Sequence, residues 1–221
     1  MNIKRITFWA GFIIVIGLII WGLIVAMNKP TGPLVPRGTP APITAEDHIT
    51  SILPSSDVTP VTLIEYSDFQ CPACGAYHIL VEQLLASSTI PIKFVYRHFP
   101  LTQHLNAIPA AMASEAAGVQ GKFWDMYHLI FEDTSEWTEL SDPTSVFIGY
   151  ATKIGLDLNK FKTDLTSSTL KTHINNDLKE GVRVGINATP TFFVNGKAIV
   201  NPTSYEAFKT LIETASSEST K

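Results

Sequence analysis

The sequence predicts an α/β domain, and three observations carry that prediction. Val61-Thr62-Leu63-Ile64-Glu65-Tyr66 is a short, β-branched and apolar run of the kind that forms a buried strand. Cys74, Tyr77, His78, Val81, Leu84 and Leu85 follow at three- and four-residue spacing, which is one face of an amphipathic helix reaching about Ala86. Far along the chain, Thr191–Val194 and Lys197–Val200 flank Asn195-Gly196, a dipeptide that favours a type I′ hairpin turn.

Between these landmarks the elements follow in order. Cys71 is placed at the N-cap of the first helix and Pro72 at its first position, where the missing N–H costs no hydrogen bond. Pro91–Arg97 reads as a second strand. From about 105 to 184 the pattern turns helical. Ala107–Gln120 is rich in alanine, Phe123–Phe131 in aromatic and aliphatic residues, and Pro143–Ile154 ends at Gly155, a suitable C-cap. Leu158–Leu165 and Leu170–Val184 complete the run, with Gly185 after the last. A helix from about Ser204 to Thr214 closes the order strand–helix–strand, helical insertion, hairpin, helix.

The chain has 221 residues, and its first part has a different character. Ile6–Met27 is apolar and would span roughly 33 Å as a helix, against a hydrocarbon core of about 30 Å. Lys4 and Arg5 precede it, so the positive-inside rule keeps residues 1–5 in the cytoplasm and sends the rest outside. A cleaved signal peptide would have a shorter apolar region and a small-x-small site; neither is present, and an uncleaved anchor is expected. Residues 28–57 are rich in Pro, Thr, Ser and Gly and read as a flexible linker. The folded domain is expected over 58–215, with a frayed tail at 216–221. Beyond Lys4 and Arg5 there are 14 basic and 20 acidic side chains, with no basic cluster to mark a nucleic-acid surface.

Cys71 and Cys74 are the only cysteines in the chain. A disulfide between them closes so small a loop that its chain-entropy contribution is about 2 kcal/mol, against nearly 5 for a loop of roughly a hundred residues. The spacing is poor for a staple and well suited to exchange between dithiol and disulfide within one helical turn. At the helix N-terminus, unpaired N–H groups and the positive dipole end favour the Cys71 thiolate. Cys74, on the apolar stripe, is expected to be buried. Cys71 is therefore read as the attacking sulfur and Cys74 as the resolving one.

Ile64-Glu65-Tyr66-Ser67-Asp68-Phe69-Gln70-Cys71-Pro72-Ala73-Cys74, Tyr96-Arg97-His98-Phe99-Pro100-Leu101 and Ala188-Thr189-Pro190-Thr191-Phe192-Phe193-Val194-Asn195-Gly196 together resemble the DsbA-like branch of the thioredoxin superfamily, in its membrane-anchored bacterial form. The resemblance runs from about Thr59 to Ala215. It implies a thioredoxin fold with a helical insertion, and an extracytoplasmic thiol–disulfide oxidoreductase whose only redox group is the Cys71–Cys74 disulfide, with no other cofactor. It further implies that Thr189-Pro190 forms a cis-proline loop against the cysteines, although X–Pro bonds in general are cis in only about 5–6% of cases. Glu65, read from the residues alone, is either an outward-facing strand residue or a costly buried acid. The resemblance implies a proton acceptor for Cys74. Asp68 is adequately explained by a turn or cap, while Arg97 and His98 either bias the local potential or take solvent-facing positions at a strand end.

A different class of function is a structural zinc module built from Cys71, Cys74, His98 and His104. The interval between its two pairs is longer than the usual spacing of such sites. A c-type haem is excluded at Cys71–Cys74 because Gly75 stands where histidine is required. The Pro-Ala dipeptide between the cysteines resembles the Pro-x pairs of oxidases more than the Gly-Pro of reducing thioredoxins. Disulfide donation is thus expected, with reductase or isomerase as the alternative. The expected partners are reduced or unfolded extracytoplasmic proteins and, by resemblance, a quinone-coupled membrane reoxidase of the DsbB or VKOR-like kind. The expected location is the cell membrane, single-pass, with the catalytic domain outside.

Overall fold

Two parallel strands joined by one helix form the centre of the molecule. In the computed structural model, which describes residues 38–52 and 59–219, β1 (His48–Ile52), β2 (Val61–Ser67), α1 (Pro72–Ser87) and β3 (Ile92–His98) come first. Next are α2 (Ala107–Gly118), α3 (Phe123–Glu132), a single 3₁₀ turn at Thr134–Glu136, α4 (Thr144–Lys153), α5 (Leu158–Asp164) and α6 (Ser168–Arg183). β4 (Thr191–Val194), β5 (Lys197–Ala198) and α7 (Tyr205–Ser219) complete the order. The five strands form one sheet in the order β1-β3-β2-β4-β5, with β2 and β3 parallel and every other pair antiparallel.

Both faces of the sheet are covered, which is why β2 is buried along almost its whole length. Leu63, Phe94 and Val194 share one register row and face the larger core, built with α1, the insertion helices α2–α5, and α7. Ile64, Val95 and Phe193 form the next row and point to the other side, where Tyr66, Phe99, Val184 and Ile186 pack around α6. Gly181 lets α6 come close: a Cβ there would lie 2.6 Å from Phe99 Cδ2. Asn195 and Gly196 both take positive φ (48° and 78°), as the hairpin turn between β4 and β5 requires. β5 is shorter than the expected Lys197–Val200.

Two expectations are corrected. The linker expected over 28–57 is in part folded: His48–Ile52 pairs antiparallel with β3, from His48 opposite Tyr96 to Ile52 opposite Ile92. The chain before it is held by Arg97, whose guanidinium donates to both Asp47 carboxylate oxygens at 2.7 and 3.2 Å and to the carbonyls of Ala41 (3.1 Å) and Pro42 (3.4 Å). An edge strand of five residues, with Thr50 and Ser51 both polar and no strict alternation, carries little pattern of its own, and composition alone hid it. The second correction follows from the first. Arg97 and His98, expected at a solvent-facing strand end, are buried, because β1 and α6 cover that end of β3. The expected membrane span Ile6–Met27 and the first part of the linker lie outside the described residues. Among those described, no helix is long and apolar enough to cross a membrane.

Candidate active site

The sequence between β2 and α1 forms a tight turn, in which the Cys71 N–H donates to the Asp68 carbonyl at 3.0 Å. Cys71 is the N-cap of α1 in extended conformation (φ −75°, ψ 120°), with Pro72 at the start of the helix. Its side chain therefore stands over the first-turn amides of Ala73 and Cys74. The thiol of Cys71 is lowered to about 5, chiefly by hydrogen bonding with the Cys74 sulfur. Burial opposes this, while Thr189 and the amides of Cys74 and Ala73 favour the thiolate. Both cysteines are free thiols.

Cys74 lies one turn deeper, fully buried, and its sulfur accepts from the Asp68 N–H at 3.5 Å. Burial pushes its thiol well above the ordinary value, and Cys71 and the Glu65 carboxylate push it further. The two sulfurs thus differ, the Cys71 thiol being lowered and the Cys74 thiol raised. Of the other expected site residues, Thr189 and Pro190 are brought to Cys71. The Thr189–Pro190 bond is cis, and Cys71 Sγ donates to the Thr189 carbonyl at 3.5 Å. Asn201 Nδ2 donates to the Pro190 carbonyl at 2.8 Å and fixes the loop from behind.

Glu65 faces inward. Its register partners Tyr96 and Phe192 belong to the larger core, on the side where α1 places Cys74. Burial raises its carboxyl to about 8, the neighbouring Ser67 hydroxyl opposing and the Cys71 charge adding to the rise. One carboxylate oxygen, Oε2, has no hydrogen-bond partner among the described residues. The Glu65 charge in turn raises the Cys74 thiol, so the two groups belong to one electrostatic neighbourhood.

Sequence reasoning passed over a polar strap around the turn. Asp68 is buried, and its carboxylate accepts from the amides of Gln70 and Leu101 at 2.8 Å each and meets His104 Nδ1 at 2.7 Å. The Gln70 side chain donates to the Thr138 carbonyl (2.8 Å) and accepts from the Asn106 N–H (2.6 Å); Asn106 in turn donates to the Leu140 carbonyl at 2.8 Å. The strap ties the Cys71 turn to the insertion. Only the closeness of Asp68 and Gln70 to Cys71 could have signalled it, because their partners across the strap lie 33 to 68 residues away. A groove of about 950 Å³ opens between the strap and α1, with Cys71 in its wall and the exposed apolar side chains Ile79, Leu105 and Leu140 around it.

The zinc arrangement finds no support. His98 Nε2 pairs with Glu115 at 2.8 Å and His104 with Asp68. Among the described residues neither cysteine joins a group of ligating side chains.

A family model described as thioredoxin matches residues 50–214. The Na(+)/H(+) antiporter NhaA 1 of Mycolicibacterium gilvum is 38% identical over 143 residues, covering 62% of this chain and 22% of that protein. The chain thus spans less than a quarter of the length of the curated relatives it matches. Among solved structures, oxidised BdbD from Bacillus subtilis superposes with a TM-score of 0.69 at 24% identity, over 83% of this chain and 98% of that one. Wolbachia pipientis alpha-DsbA1 superposes with a TM-score of 0.68 at 21% identity, over 81% and 94%. These likenesses establish a shared fold.

Proposed function

This chain belongs to the thioredoxin family, and on that premise we propose that it is a membrane-anchored, extracytoplasmic thiol–disulfide oxidoreductase that donates the Cys71–Cys74 disulfide to reduced or unfolded proteins. The observation that carries the reading is the asymmetry of the two sulfurs: Cys71 at a helix N-terminus with its thiol lowered to about 5, Cys74 buried with its thiol pushed up.

In the forward direction a client thiolate attacks Cys71 Sγ. The Cys71–Cys74 bond breaks, and Cys74 leaves with the electron pair. Its sulfur takes up a proton readily, and Glu65, itself neutral below about pH 8, is the group that supplies it. A second client thiolate then attacks the client sulfur of the mixed disulfide. Cys71 departs as a stabilised thiolate, which a low-pKa sulfur does well. Two electrons pass from the two client thiolates to the enzyme, which ends with Cys71 as thiolate, Cys74 as thiol and Glu65 as carboxylate; solvent returns the proton to Glu65. The Thr189 carbonyl beside Cys71 supports an extended client segment laid along the loop, in the manner of strand addition. The dithiol is reoxidised by a quinone-coupled membrane partner of the DsbB or VKOR-like kind, and no cofactor beyond the disulfide is needed.

Iodoacetamide tests the central claim. In the reduced protein at pH 7, Cys71 should be alkylated much faster than Cys74, with a rate profile that falls only as pH drops towards about 5. Equal labelling of the two cysteines by peptide mass analysis would remove the basis of the reading.

A further inference from the structure

Outside the thiol site, α1 and α3 bring a second constellation together. His78 and Glu82 stand one turn apart on α1, and His128 and Glu132 one turn apart on α3. Ligand atoms of His78, Glu82 and His128 lie within 4.8 Å of one another, with His128 Nδ1 3.9 Å from Glu82 Oε1. Glu132 lines the same surface depression.

We infer that His78, Glu82 and His128 form a binding site for a divalent transition-metal ion, zinc above all, that clamps α1 to α3. The donor set is two imidazoles and one carboxylate, with a position left for water or Glu132. Nitrogen–oxygen sets of this kind suit zinc and its neighbours and leave calcium and magnesium poorly served.

Three features favour a ligand over a merely polar surface. His78 is 6% exposed, yet its Nδ1 has no hydrogen-bond partner among the described residues, an omission that native interiors rarely leave without a reason. Its ring is fixed by stacking on Phe131 (centroids 5.0 Å, 18°) and by the edge of Tyr127 (5.1 Å), so the orientation of the imidazole is set before any ion arrives. Burial, with the His128 charge adding, lowers this imidazole to about 4, leaving it neutral and able to coordinate at neutral pH. The cluster around Glu115 differs, because its carboxylate is already held by three imidazoles.

The clamp would join the helix that begins at Cys71 to the helical insertion, about 10 Å along α1 from the sulfur. It is independent of the thiol chemistry and is tested apart from it. The full chain, tag-free in detergent and oxidised so that neither sulfur can bind metal, is titrated with zinc against a chromophoric chelator. One equivalent should bind, raising the melting temperature. Both E82Q and H128Q, which change half-exposed side chains, should weaken binding at least about tenfold. H173Q, at the other histidine cluster, should leave it unchanged. No binding by the wild type, unchanged affinity in E82Q and H128Q, or loss confined to H173Q would overturn the inference.

Discussion

Glu65 and Glu115 are two carboxylates almost equally withdrawn from water, 1% and 3% exposed, and their ionisation moves in opposite directions. Burial drives Glu65 up to about 8, and among the described residues one of its oxygens has no hydrogen-bond partner. Burial presses on Glu115 too, but His173, His48 and His98 reverse its effect and hold the carboxyl far below the ordinary range. His48 Nε2, His98 Nε2 and His173 Nδ1 all approach Glu115 Oε1, at 2.7, 2.8 and 3.2 Å. Desolvation sets the cost of a buried charge, and neighbours decide whether the group meets that cost or gives up its charge. One acid holds β1, β3, α2 and α6 together as a charge, and burial holds the other neutral up to about pH 8.

The largest effect that could break this comparison is at Glu115. Glu115→Gln leaves three imidazoles around a neutral amide and should cost about 3–5 kcal/mol in chemical denaturation. Its pH dependence has a defined sign. The depressed Glu115 carboxyl contributes stability above about pH 4.5 that is lost on acidification. His173, raised to about 9 chiefly by its hydrogen bond to Glu115, contributes stability present below about pH 6.5 and lost as pH rises through 9. The difference between wild type and variant should therefore be greatest between those limits. A loss under about 1 kcal/mol at pH 6 would mean the cluster is no more than a surface pair.

On the thiol side, the reduced protein should be more stable than the disulfide form by a few kcal/mol, since only the reduced state gains from the Cys71 thiolate. A depressed acid contributes fully above its unfolded pKa, about 8.5, and is lost as pH falls through the folded value of about 5. Urea titrations of both forms should accordingly converge from pH 8.5 to 5. A disulfide form more stable at neutral pH would assign the protein to reduction.

The smallest effect separates the roles of the acids. Glu65 has a raised pKa, so it destabilises the fold increasingly from about pH 4.5 to 8 as the unfolded chain ionises first. Glu65→Gln should gain about 1–2 kcal/mol at pH 8 relative to wild type and nothing near pH 4, while release of Cys74 from a mixed disulfide slows in stopped-flow measurements. A variant that loses stability at pH 8 would show Glu65 to be a structural anion like Glu115.

What the sequence determined was local. Cys71-Pro72 at a helix start, the stripe through Cys74 and Leu84, the β-branched run of β2 and the Asn195-Gly196 turn all stand in the structure where their chemistry places them. Each rests on interactions within a few residues, which periodicity and propensity record. The tertiary structure alone decided how the buried charges are partnered. Arg97 reaches back 50 residues to Asp47, His98 forward 17 to Glu115, and Asp68 forward 36 to His104, while β1 emerges from a stretch whose composition reads as linker. A charge is worth what its nearest neighbours in space make it worth, and those neighbours come from distant stretches of sequence that only the folded chain assembles.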